Sequence, residues 1–83
     1  MSGSLTYGER AVGLSFNPSG NPLVIDLKTA AAEFIDVCHD RRNLATDPEV
    51  KRMYSVAITE AQSAQMWSVK AATWKTEDPP NPA

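Results

Sequence analysis

Asn43-Leu44-Ala45-Thr46-Asp47-Pro48-Glu49 is the stretch on which the fold turns. Thr46 or Asp47 can cap a helix, and Pro48 fits its first turn, where a missing N–H costs nothing. Glu49 adds negative charge beside the unpaired first amides. From there to about Trp74 neither glycine nor proline occurs, which predicts a helix over about 48–74, roughly 40 Å long. Upstream, Asn21-Pro22 repeats the start signal. Leu23, Leu27, Ala30, Phe34, Val37 and Arg41 then recur at three-to-four spacing, with a second apolar row of Val24, Ala31, Ile35 and Cys38. This predicts a helix over about 22–42, roughly 30 Å long, with Arg41 and Arg42 facing the negative end of its dipole. Two long helices joined by so short a loop give an all-α, antiparallel two-helix hairpin.

Residues 1–21, rich in Gly, Ser, Asn and Pro, are expected to form an N-terminal arm or loop rather than a regular element. The prolines after Glu77 stop the second helix, so 76–83 is expected to be a flexible tail. In that helix Val50, Met53, Ala57, Ala61, Ala64, Trp67, Ala71 and Trp74 make one stripe, with Val56, Ile58, Met66 and Val69 partly off it. Each helix of a lone hairpin buries one stripe, so the remaining apolar surface predicts a homo-oligomeric helical bundle.

Composition narrows the function. The chain of 83 residues is one domain at most, has a single cysteine and a single histidine, and carries a net charge of −2. Chains this short usually need a staple. Cys38 cannot form an internal disulfide, and with His39 alone it cannot complete a zinc site. Oligomerisation is the stabiliser left. The weakly acidic balance supplies no basic field for duplex nucleic acid, and no run is long and apolar enough to cross a membrane. Met1-Ser-Gly-Ser-Leu-Thr6 lacks the cationic start and apolar run of a secretory signal, which with the lone thiol points to the cytoplasm.

Catalytic constellations are lacking. His39 lies among Asp36, Asp40 and two arginines and is expected to be solvated or at an interface. Cys38 is expected to behave as a small buried hydrophobe. Glu60 and Gln62 have nothing beside them to complete a site, and no phosphate-binding glycine motif occurs. The chain is therefore not expected to be an enzyme, and no cofactor is implied.

Binding features are stronger. Tyr7-Gly-Glu-Arg-Ala-Val-Gly-Leu-Ser-Phe-Asn-Pro-Ser-Gly-Asn21 combines two aromatics, Arg10 and turn-forming residues including Asn17 and Ser19. Backbone amides ahead of a helix suit phosphate oxygens, rings stack on bases, and cations add charge-assisted bonds. Lys28 follows about two turns into the first long helix, within reach of a ligand held by the loop. In the second, Thr59, Gln62 and Ser63 share a face, with Lys70 further on. The plain alternative has Phe16 plugging the core, Tyr7 packing the arm, Arg10 paired with an acid, and the polar residues solvated; both readings stay open on residues alone.

The run Gly8-Glu-Arg-Ala-Val-Gly-Leu-Ser-Phe-Asn-Pro-Ser-Gly-Asn21, then Ile25-Asp-Leu-Lys28 with Ala32-Glu-Phe-Ile-Asp36, then Ser55-Val-Ala-Ile-Thr-Glu-Ala-Gln-Ser-Ala-Gln-Met-Trp-Ser-Val-Lys-Ala71 resembles the phage helical-hairpin sponge family. Its members antagonise the CBASS and Thoeris defences of bacteria. The resemblance implies a homo-oligomer, typically a hexamer, that binds cyclic dinucleotides at subunit contacts. It extends to cyclic trinucleotides at separate sites and, in related hairpins, to cyclic ADP-ribose isomers. The messenger is held intact in the cytoplasm of the infected host, so its effector is never activated. Lys28 matches the family lysine that contacts a ligand phosphate, and Lys70 a basic position associated with the trinucleotide site. Phe16 and Tyr7 are both candidates for the arm aromatic that stacks on a base. A two-fold dianion with two flat bases suits a two-fold interface offering a lysine and a ring from each subunit. The rival function is a structural or protein-binding phage hairpin with no nucleotide ligand.

Overall fold

The computed structural model describes residues 4–75, which form three helices: α1 Tyr7–Val12, α2 Pro22–Leu44 and α3 Pro48–Ala72. The tail expected over 76–83 lies outside the described residues. Asn21 caps α2, its side-chain oxygen accepting from the Leu23 amide at 2.9 Å. Asp47 rather than Thr46 caps α3, accepting from the Glu49 amide at 2.8 Å. Pro22 and Pro48 open their helices, where their fixed φ suits the first turn. Lys51, from the first turns of α3, donates to the Arg42 carbonyl at 3.1 Å and satisfies part of the open end of α2. At the other end of the hairpin the Asn21 side-chain amide donates to the Ala72 carbonyl at 3.3 Å. The start of α2 thus meets the end of α3, and the two run antiparallel.

The arm departs from its expected irregular form, because α1 is a helix. Thr6 and Glu9 close a capping box: Thr6 Oγ1 accepts from the Glu9 amide at 3.0 Å, and Glu9 Oε1 accepts from the Thr6 amide at 2.9 Å. Gly13 ends the turn at φ 63, in the left-handed region that glycine enters without a Cβ penalty. Gly8 lets α1 lie directly on α2, since a Cβ there would stand 2.1 Å from the Ala32 carbonyl oxygen.

The core sits where α1, α2 and α3 meet. Val12, Ala32, Ile35, Cys38 and Ile58 are buried, with Tyr7, Ala11, Leu14, Tyr54, Ala57 and Ala61 packed around them. On α2 the inward row is therefore the one that includes Val24, Ile35 and Cys38, joined by Ala32 and Lys28. The longer row turns outward: Leu23, Phe34 and Val37 are exposed, Phe34 to 54%. On α3, Met53, Ala64, Trp67, Ala71 and Trp74 of the predicted stripe are also exposed, while Ile58 and Gln65 are buried. The molecule is a flattened slab, 59 × 35 × 12 Å along its principal axes. Both long helices keep apolar side chains in solvent, among them Phe34 and Val37 on α2 and Met66 and Trp67 on α3. No described helix is long and apolar enough to cross a membrane.

Candidate functional site

At the open end of the hairpin, the turn after α1, the first turns of α2 and the last turn of α3 enclose a cavity of about 200 Å³. Phe16, Asn17, Pro18 and Ser19 form one wall, Val24 and Lys28 the floor, and Val69 and Thr73 the far side. The Asn21–Ala72 bond brings these walls together. The turn is held by its own hydrogen bonds. Ser19 Oγ donates to Asn17 Oδ1 at 2.9 Å, Asn17 Nδ2 donates to the Asn21 carbonyl at 3.1 Å, and the Asn21 amide donates to Ser19 Oγ at 3.2 Å.

Lys28 is the central group. Only 5% exposed, its ammonium donates to the Gly13 carbonyl at 2.9 Å and to the Phe16 carbonyl. An ammonium has three protons, so one remains for a further acceptor. Among the described residues the single ion pair is Glu49–Arg52, at 2.6 Å on the exposed start of α3. There the Arg52 guanidinium holds the Glu49 carboxyl below its usual range. Lys28 thus has no carboxylate partner among those residues, and a buried, unpaired cation favours an incoming anion. The Phe16 ring stands beside it, with Nζ 5.4 Å from the ring centroid, and is 71% exposed. A flat face over a cation and a lined hollow can take a planar group joined to a phosphate.

The other predicted residues are dispersed. Tyr7 is half-buried, its ring stacked on His39 at 4.1 Å between centroids and 5° between planes, with the Arg42 guanidinium carbon 5.8 Å from the Tyr7 ring centroid. That ring is occupied at the far end of α1. Arg10 is exposed on α1 and does not line the cavity. Thr59, exposed, and Gln62, half-buried, sit mid-way along α3 and do not line it either; Thr59 is about 15 Å along the helix axis from Val69. Lys70 belongs to a separate open groove of about 480 Å³ with Trp67, Ala71 and Trp74. Its ammonium lies 5.2 Å from the Trp67 ring and 5.9 Å from that of Trp74.

Sequence reasoning did not assign Pro18, Val24, Val69 and Thr73 to the site. Val24 and Val69 were visible only as apolar residues of their helices. What would have found them is the pairing of helix ends implied by an antiparallel hairpin, which sets residues near 24 beside those near 69–73. Among the described residues no catalytic grouping surrounds His39. Its Nδ1 lies 3.3 Å from Arg42 and its Nε2 3.4 Å from the Asn43 amide nitrogen, with no nucleophile bonded to either. Among the described residues no cluster could hold a metal ion.

The family model described as Acb2/Tad1, hairpin domain, matches residues 9–73. That span runs from the third residue of α1 to the cap of α3 and includes every residue lining the cavity. No curated protein and no solved structure gives a significant match.

Proposed function

We propose, from the premise that this chain belongs to the Acb2/Tad1 hairpin family, that it captures cyclic oligonucleotide second messengers intact. The family is one of phage anti-defence sponges, acting against CBASS and Thoeris immunity by binding cyclic nucleotide signals without catalysis. In this chain the Lys28 ammonium holds a ligand phosphate, the exposed face of Phe16 stacks on a base, and the turn carrying Asn17 and Ser19 closes over the sugar–phosphate edge. Lys70, between its two indoles, offers a second place for an anionic, base-bearing ligand. Arg10, Tyr7, Thr59 and Gln62 come into play only where another copy approaches them. The ligand classes are cyclic dinucleotides first, then cyclic trinucleotides and cyclic ADP-ribose isomers, taken up in the cytoplasm of an infected host.

The observation that carries this reading is Lys28, a buried ammonium with no carboxylate partner among the described residues, beside an exposed ring. A cavity of about 200 Å³ falls short of the roughly 300–1,000 Å³ of most small-molecule sites. A site completed by a second copy accounts for that shortfall, and also for the apolar side chains left in solvent on α2 and α3. A homo-oligomer, a hexamer by the family pattern, is part of the proposal.

The competing reading, a structural hairpin without a nucleotide, has one observation in its favour. Two of the Lys28 protons already go to carbonyls of its own chain, as they would in a lysine that only pins the arm. One experiment separates the readings: thermal shift against a panel of cyclic di- and trinucleotides and cyclic ADP-ribose isomers, then heat denaturation and recovery of the ligand. A raised Tm with ligand recovered unchanged supports capture. No shift supports the structural hairpin, and cleaved ligand would reveal an enzyme.

A further inference from the structure

We infer that Asp36 is a positioning residue for the Phe16–Lys28 cavity, acting from outside it by anchoring α1. The ligand arm of this inference rests on the capture reading above; the structural arm does not. Helix α1 has six residues, well below the ~12–15 at which an isolated helix becomes even marginal in water. Its place is therefore set by what it docks on. Within its first turn the Glu9 amide is taken by Thr6, but the Gly8 amide has no acceptor inside the helix. Asp36, on α2, supplies one: its Oδ1 accepts from the Gly8 amide at 2.7 Å, across a partly buried contact. Among the described residues Asp36 forms no ion pair, so this bond is the carboxylate's visible role.

The consequence appears at the other end of α1. The carbonyls that hold the Lys28 ammonium belong to Gly13, the C-cap of α1, and to Phe16 just after it. Phe16 in turn is tied to Gly13, its amide donating to the Gly13 carbonyl at 2.9 Å. If α1 swings off α2, Lys28 loses both acceptors and the Phe16 ring leaves the cavity. Asp36 lies two turns along α2 from Lys28, about 12 Å away. It does not itself line the cavity, yet it holds the helix that leads into one wall of it.

The test is amide hydrogen exchange on the full chain, comparing wild type with Asp36→Ala and Asp36→Asn, alongside titration with cyclic di-GMP and cyclic GMP–AMP. Asparagine keeps the carbonyl acceptor and alanine removes it. Exchange at Gly13, Leu14 and Phe16 should rise at least about tenfold in Asp36→Ala, the scale of a lost charge-assisted bond. Exchange at Ile35 and Ile58 should stay as in wild type, and Asp36→Asn should restore most of the protection. Where wild type binds a cyclic dinucleotide, affinity should fall and recover in the same pattern. Unchanged exchange over residues 13–16 in Asp36→Ala would overturn the inference. So would an asparagine variant as open as the alanine one, or wild-type affinity in an opened variant. If wild type binds neither nucleotide, the capture reading fails for dinucleotides while exchange still decides the role of Asp36. Should Asp36→Ala not fold, Asp36→Glu, which keeps the carboxylate but displaces it by one methylene, should raise exchange over residues 13–16 relative to Asp36→Asn; exchange as in wild type would overturn the inference.

Discussion

Lys28 meets Phe16 twice, donating from its ammonium to the Phe16 carbonyl while lying 5.4 Å from the centroid of the Phe16 ring. One side chain therefore fixes the backbone that presents the ring and charges the space in front of it. Removing it should have two effects. Lys28→Ala should weaken cyclic nucleotide binding by about 10- to 150-fold, corresponding to about 1.5–3 kcal/mol for hydrogen bonds to a charged group. The variant should also melt earlier, because the Gly13 and Phe16 carbonyls lose a donor. Calorimetric titration and thermal melts check the two separately. Unchanged affinity would remove Lys28 from the site even if the melt moved.

Phe16 and Tyr7 should behave as opposites. Phe16 is mostly exposed, so Phe16→Leu should leave stability within about 0.5 kcal/mol while losing about 1–3 kcal/mol of base stacking. Tyr7 is stacked on His39, so Tyr7→Leu should cost about 0.5–1.5 kcal/mol of stability for the lost aromatic pair. Denaturant unfolding beside ligand titration resolves the two. Were Tyr7→Leu to lose binding with its stability intact, the assignment of rings would be reversed.

The outward rows of α2 and α3 should make the protein's state depend on concentration. Sedimentation equilibrium from tens of nanomolar to tens of micromolar should show association, and Phe34→Asp, at a side chain in solvent within a single chain, should shift the population toward monomer. A stably folded monomer across that whole range would remove the shared-site proposal.

At the start of α3, Glu49 has its pKa lowered by its bond to Arg52. A carboxyl held lower in the folded state stabilises it above the unfolded pKa, and that contribution is lost as pH falls through the folded value. The pair is fully exposed, so the effect is small. Glu49→Gln should lower Tm slightly at pH 7, and the difference should shrink as the pH falls through and below the ordinary glutamate range. A gap that persisted in acid would mean that Glu49 acts through something other than its charge.

Both ends of the hairpin were legible because they are written in local chemistry. Asn21-Pro22 and Asp47-Pro48 place the helix starts, and the absence of breakers after Pro48 gives the long α3. Helix α1 was encoded just as locally, in Thr6 and Glu9, but six residues are too few to show a period beside a glycine- and proline-rich stretch. Which row of α2 faces inward was not legible. The inward row contains Lys28, and a lysine ordinarily marks the solvated side; it is buried because the arm brings carbonyls to it. Grouping Phe16, Asn17, Ser19 and Lys28 was within reach, since all lie near one helix start. Separating Tyr7 from them was not, because its partner His39 is close only once α1 has docked.

The contact of Gly8 with the Ala32 carbonyl has a genetic corollary. Any other residue at position 8 adds at least a methyl group where backbone already stands. Every amino-acid replacement at that codon should therefore be purged, whereas the Ser15 codon, exposed in the turn after α1, is left to drift under infection. A saturation library passaged through defended hosts would record this as a single invariant codon beside a variable one.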